Sequence, residues 1–118
     1  MKDQFMAWLA ERASACEMSR AALSRDGRGD EARFEQIRYN VYDLFRTTVG
    51  ALHRAEKDEQ AAWQRFEQQL RGIPAAWRQS HDMARSHGDA EKAHIERIKL
   101  DAAADIEKRY RELRGEGV

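Results

Sequence analysis

The sequence predicts an all-α protein, a four-helix, up-down bundle built from two repeated helical hairpins. Three observations predict it. Apolar residues recur at helical spacing, and no alternating strand pattern is present. One proline and seven glycines punctuate the whole chain, at the few places where turns are needed. Finally, Ala32-Arg33-Phe34-Glu35-Gln36-Ile37-Arg38-Tyr39-Asn40 realigns with Ala93-His94-Ile95-Glu96-Arg97-Ile98-Lys99-Leu100-Asp101, 61 positions later. Alanine, glutamate and isoleucine match identically, and basic meets basic at 38/99. The same offset lays Gly27 on Gly88, Phe5 on Phe66 and Leu9 on Leu70. The repeated unit is therefore a helix, a Gly/Asp turn and a second helix.

Taken in order, the first helix covers about residues 3–25, with Phe5, Met6, Leu9, Ala13, Cys16 and Leu23 at helical spacing. Asp26-Gly27-Arg28-Gly29-Asp30 ends it, with Gly27 suited to a left-handed C-terminal position and Asp30 to capping the next helix. The second helix steps 3-4-3-4 through Phe34, Ile37, Val41, Leu44 and Thr48, a stripe widened by Phe45, Val49 and Leu52. A turn is placed near Lys57–Glu59, which makes hairpin 1 about 1–57 and hairpin 2 about 60–114. The third helix carries Trp63, Phe66 and Leu70. It is expected to kink or split at Gly72-Ile73-Pro74, because proline pushes the preceding residue out of helical geometry. It resumes over about 75–87 with Trp77, Met83 and Ala84. His87-Gly88-Asp89 mirrors the first turn, with His87 placed to cap the preceding helix. The fourth helix spans about 90–114 with Ile95, Ile98, Ala102, Ile106, Tyr110 and Leu113, and its last turns are basic, as the helix dipole favours. Gly115-Glu116-Gly117-Val118 forms a frayed tail. Two hairpins with one apolar stripe each bury those stripes best against each other, with the second and fourth helices as the central pair. A TPR-like solenoid is the rival architecture, but a 61-residue period is too long for that unit and two copies are too few.

A length of 118 residues implies a single helical domain, 1–118. Its core is thin: Leu, Ile, Val and Phe total 19 residues, below the share that usually marks a folded chain. Zero net charge argues against disorder, and three Trp, three Tyr and four Met supply bulk that the aliphatic count misses. Zero net charge also lowers the expectation of nucleic acid or an anionic membrane as partner. A lone cysteine, Cys16, cannot form an internal disulfide and points to a reducing compartment. The apolar run near Met1 is too short and too soon charged for a signal sequence, and no stretch is long enough to span a membrane. The cytoplasm is the default compartment.

No catalytic, metal or phosphate-loop signature stands out, and no cofactor is expected. Glu91 and His94 form a Glu-x-x-His step, but a di-iron bundle needs two such steps, and Arg33 stands where the second histidine would be. His81 and His87 lie in a polar stretch around the second turn. Cys16 lies on the apolar stripe, where a thiol behaves as a small hydrophobe. The basic run Lys108–Arg114 is interleaved with Glu107 and Glu112, a pattern that does not favour nucleic acid.

Two groups remain as candidate sites. Tyr39, Asn40, Asp43 and Asp101 could form a small polar pocket, since Asn40 and Asp101 are equivalent in the repeat and flank the core stripes. An exposed position one step off the core explains them equally well. Phe5 and Trp8, with Trp63 and Phe66, could form an interface, since tryptophan is enriched at binding hot spots. The alternative is that these rings seal the bundle.

The combination Asp30-Glu31-Ala32, Asn40-Val41-Tyr42-Asp43-Leu44-Phe45, Trp77, Ala84, His87-Gly88-Asp89, Glu91-Lys92, Ile95-Glu96 and Lys99-Leu100 resembles small helical proteins of unknown function from anaerobic gut Firmicutes. The resemblance covers nearly the whole chain. It implies a stand-alone helical domain in a bacterial cytoplasm, and no activity or site residues. Two functional expectations follow from the residues. One is a non-enzymatic module that binds a protein partner or itself, as a homo-oligomer, through the aromatic ends. The other is a small-ligand binder or cryptic enzyme with the polar pocket near Tyr39, Asn40, Asp43 and Asp101.

Overall fold

Four helices follow one another through short turns: α1 (Lys2–Arg25), α2 (Gly29–Ala55), α3 (Glu59–Ser86) and α4 (Ala90–Leu113). The computed structural model describes residues 1–115, and no strand occurs among them. The expected tail lies outside the described residues beyond Gly115. A helix the length of α3 is about 42 Å long at 1.5 Å per residue, close to the 45 Å long axis of the molecule, so each helix traverses the bundle once. No helix among the described residues is long and apolar enough to cross a membrane.

Both hairpins turn on the same local device. Gly27 (φ 74°) and Gly88 (φ 72°) adopt the left-handed conformation that other residues avoid. At the first turn Arg28 N–H donates to Leu23 O at 2.9 Å and Gly27 N–H to Ser24 O at 3.1 Å. At the second, Asp89 N–H donates to Ala84 O at 2.8 Å and Gly88 N–H to Arg85 O at 3.1 Å. Both are Schellman closures, which satisfy carbonyls that a helix end leaves unpaired. His87 is the C-cap residue of α3. The helix starts differ from one another. Asp58 and Asp89 cap α3 and α4 by accepting from Gln60 N–H and Lys92 N–H. Asp30 does not cap α2 as expected. That helix begins two residues earlier than such a cap would set, at Gly29, which places Asp30 in the first turn with its charge facing the dipole.

The hairpin partners α1–α2 and α3–α4 make the most extensive contacts. In addition, α2 and α4 each touch all three other helices, and thus occupy the short diagonal of the bundle. They run parallel there: Arg33 pairs with Glu91, Phe34 with His94 and Tyr42 with Asp105.

The core is built of rings. Phe5, Phe45 and Phe66 have no exposed surface, and Trp63 and Tyr110 are buried with them. Phe66 lies 5.6 Å from Phe5, 6.2 Å from Phe45, 5.7 Å from Trp63 and 5.2 Å from Tyr110, all in tilted or edge-on arrangements. Aromatic pairs prefer those geometries. One node therefore joins all four helices. On α2 the buried face is Val41, Tyr42, Phe45 and Val49, whereas Leu44 is 40% exposed and Phe34, Ile37 and Thr48 are only half-buried. The core stripe is thus rotated by about one residue from the one the 3-4 spacing predicts, because α2 has to serve three neighbours and buries Tyr42 between α1 and α4.

The expected split at Gly72-Ile73-Pro74 does not occur: α3 is helical from Glu59 to Ser86 with Pro74 inside it. Trp63, Phe66, Leu70, Pro74, Trp77, His81 and Ala84 form one unbroken inward stripe, all buried except the half-buried Trp77. An interior proline costs about 3 kcal/mol through its lost hydrogen bond and ring clash. Burial of a seven-residue stripe along the full bundle length outweighs that local penalty.

Two buried tyrosines place their hydroxyls at the rim. Tyr42 donates to Asp105 Oδ2 at 2.6 Å and accepts from Arg12 Nη2 at 3.4 Å, joining α1, α2 and α4. Tyr110 donates to Glu67 Oε1 at 2.8 Å and accepts from Arg114 Nη1 at 2.8 Å, joining α3 to α4. Burial, reinforced by the carboxylate neighbour, pushes both phenols up to about 12. A phenol with a pKa raised on folding contributes stability below its unfolded value near 10, and that contribution disappears as pH rises through the folded value. Each tyrosine is thus expected to withdraw roughly 2–3 kcal/mol of stability between about pH 10 and 12. Urea denaturation at stepped alkaline pH should show that loss, and Tyr42→Phe should halve its steepness; an identical slope in the variant would contradict the assignment. Phe66→Ala is expected to destabilise the fold by about 3–5 kcal/mol, against under about 0.5 kcal/mol for the exposed Leu44→Ala, both read from denaturation midpoints.

Candidate functional site

The residues proposed from sequence for a polar pocket do not gather in one. Asn40 is exposed and accepts from Gln36 at 3.0 Å. Asp43 is held by Arg46 on its own helix. Tyr39 is half-buried and packs against the core. Only Asp101 borders the groove described below, and Tyr39, Asn40 and Asp43 lie outside it. The interface residues are corrected by burial. Phe5, Trp63 and Phe66 are occupied inside the bundle, because a chain with so few aliphatic residues needs those rings for its own core. Trp8 alone keeps partial exposure, and even so it stacks on Phe5 at 6.3 Å and meets Tyr42 edge-on at 6.0 Å. Cys16 is buried, and burial together with Glu35 pushes its thiol up, the reverse of activation. Among the described residues no three His, Cys, Asp or Glu side chains come together as a metal site.

A groove of about 390 Å³ runs between α3 and α4. Its α3 wall is Arg78, His81, Asp82 and Arg85, and its α4 wall includes Arg97, Leu100 and Asp101. Both sets follow the i, i+3, i+4 helical step, which puts each on one face. Pro74 meets Ala103 and Ala104 along its floor. Those small side chains and the proline ring leave space that longer side chains would fill. Towards the α3–α4 turn the groove continues into a hollow of about 430 Å³, bounded by Gly88, Asp89, Ala90, Ala93 and His94, with His81, Arg85 and Arg97 shared between the two.

The groove brings three arginines, Arg78, Arg85 and Arg97, together with the acids Asp82, Asp101 and Glu107. Elsewhere several arginines are held by carboxylates, Arg12 by Asp105, Arg33 by Glu91, Arg38 by Glu35, Arg46 by Asp43 and Arg65 by Glu56, while the exposed Arg25, Arg54 and Arg71 stand apart from one another without such a partner among the described residues. Among the described residues no carboxylate pairs with Arg78, Arg85 or Arg97. The acids nearby are spoken for or do not reach. Asp82 Oδ1 lies 3.4 Å from His81 Nδ1, Glu107 binds Arg111, and Asp101 sits one turn beyond Arg97 without pairing with it. His81 is 8% exposed and so forms part of the wall rather than a mobile surface side chain.

The chain matches no protein-family model, no curated protein and no solved structure. The resemblance to small Firmicutes proteins therefore rests on the quoted residues alone, and the site has to be judged by its own chemistry. Three guanidiniums with open donors on two facing helices can bind an oxyanion, since their planar forks match carboxylate or phosphate oxygens. Sequence reading passed over this cluster. The available signal was Arg78, His81 and Arg85 at i, i+3 and i+7, with Arg97 beyond the turn; what the sequence did not show was that their nearby acids would pair elsewhere.

The groove floor gives a direct test of how the proline shapes it. Pro74→Ala restores a backbone donor to Leu70 and removes the ring. It should stabilise the protein by about 1–2 kcal/mol, the interior-proline penalty less the lost ring burial. A fall in melting temperature would instead make the ring a net stabiliser of the α3–α4 contact.

Proposed function

We propose that the protein is a ligand-binding helical module whose α3–α4 groove receives an anionic group. The observation that carries this reading is the set of three arginines, Arg78, Arg85 and Arg97, lining one groove without an ion-pair partner among the described residues. Leaving a surface arginine unpaired costs little stability, because exposed pairs are worth about 0–1 kcal/mol. An arginine kept free in a concave site is available to a ligand, where hydrogen bonds to charged groups are worth about 1.5–3 kcal/mol each. The self-association reading relied on aromatic anchors, and of these only Trp8 has surface to offer.

Amide NMR spectra recorded against a panel of small carboxylates, sulfates and phosphates test the proposal. Shifts are expected at residues bordering the groove, and the triple variant Arg78→Gln, Arg85→Gln, Arg97→Gln should lose them while melting near the wild-type temperature. Anion-induced shifts scattered evenly over all four helices, or retained in the triple variant, would sink the reading.

A further inference from the structure

We propose that the hollow at the α3–α4 turn is a phosphomonoester site, in which Arg85 and Arg97 grip the phosphate dianion and the alanine floor takes a compact apolar body. The inference rests on the anionic-groove reading and goes further by assigning one end of the groove and one ligand chemistry.

The groove is not uniform along its length. Its far end carries Asp101 and Glu107 beside Arg78, and those carboxylates oppose an anion. The turn end carries Arg85, Arg97, His81 and His94, with Asp89 in its lining and Asp82 turned against His81. Asp89 is committed: its Oδ1 accepts from Lys92 N–H at 3.0 Å and closes the start of α4. The helix terminus is therefore already capped, and the side chains are left to hold the anion.

The number and placement of donors select phosphate over carboxylate. One guanidinium fork satisfies both oxygens of a carboxylate. Here two forks come from two helices, Arg85 in the last turn of α3 and Arg97 in the second turn of α4, so they approach from different directions. Phosphate presents three oxygens around a tetrahedron and can engage both. His94 adds a donor whose ring is placed by packing, since it stands edge-on to Phe34 at 4.8 Å, while the buried His81, turned to Asp82, forms part of the wall.

The remaining wall explains the ester. Gly88, Ala90 and Ala93 present no polar side chain, and about 430 Å³ exceeds what an inorganic ion needs. It falls in the size range of small-molecule pockets. A phosphate joined to a small hydrophobic or aromatic group fills both parts.

Amide NMR titrations at low salt with phenyl phosphate, inorganic phosphate and benzoate decide the matter. Phenyl phosphate is expected to move the resonances of Arg85, Gly88, Ala93 and Arg97 and to bind about tenfold more tightly than either other probe. Arg85→Gln and Arg97→Gln should each weaken it about tenfold or more at unchanged melting temperature. Arg71→Gln, on an exposed part of α3 outside the groove, should leave it unchanged. Benzoate binding as tightly as phenyl phosphate, or an equal loss in Arg71→Gln, overturns the phosphate assignment. Inorganic phosphate binding as tightly as phenyl phosphate keeps the dianion site and overturns the ester. If carboxylates move resonances near Arg78 and Leu100 while phenyl phosphate moves none at the turn, this proposal fails and the anionic groove stands. If no anion moves a groove resonance up to about 10 mM, both fail.

Discussion

The contact of Phe66 with Phe5, Phe45, Trp63 and Tyr110 is the constraint on which the rest of the bundle depends. The chain has too few aliphatic side chains to fill four long interfaces evenly. It concentrates its volume in one aromatic node to which every helix contributes. Aromatic side chains bury about 150–250 Å² each and add a directional term through edge-to-face packing. A few rings can therefore replace a longer run of leucines, provided that each meets its neighbours at the right angle. That requirement fixes helix rotation, and it explains why α2 turns Tyr42 and Phe45 inward at the expense of Leu44.

Burying tyrosines brings a polar obligation, which is met in the same way twice. Tyr42 and Tyr110 each reach the rim, donate a hydrogen bond to a carboxylate on another helix and accept one from an arginine. Each guanidinium also lies over the ring it bonds, at 5.4 Å for Arg12 and 5.6 Å for Arg114. The rings set the packing and the hydroxyls set the sliding register of the helices. A half-turn slip would strand a hydroxyl away from water, at a cost of about 1–3 kcal/mol.

Local sequence signals revealed the elements better than their environments. Gly27 and Gly88 marked the turns, because a left-handed residue is a property of the residue itself. Pro74 does not split α3, because its penalty is local while the stripe from Trp63 to Ala84 that overrides it is a property of the assembled bundle. The interface reading of Phe5, Trp63 and Phe66 failed for a related reason: periodicity shows that a ring lies on the apolar face and leaves open whether that face meets this chain or another. Tyr39, Asn40, Asp43 and Asp101 share a helical neighbourhood in the repeat, but local pairings to Gln36 and Arg46 hold Asn40 and Asp43 out of a common pocket. The arginine groove was hidden for the opposite reason. In a chain with equal numbers of acids and bases, charge composition cannot single out the bases that stay unpaired.

The aromatic node and the groove follow from one distribution of volume. The paired end of α3 and α4 holds Trp63, Phe66 and Tyr110 and is closed by them. Further along, the same two helices face each other through Pro74, Ala103 and Ala104, and near the turn through His81, Ala90 and Ala93. Helix spacing cannot shrink freely at one end while rings hold it open at the other, so small side chains there leave a trough instead of a tighter contact. A trough between two polar helix faces fills with water, and the arginines along it stay hydrated at little cost. The concave surface is thus a consequence of a core too thin to extend over the whole bundle, and Arg78, Arg85 and Arg97 stand along it unpaired beside Asp82, Asp101 and Glu107.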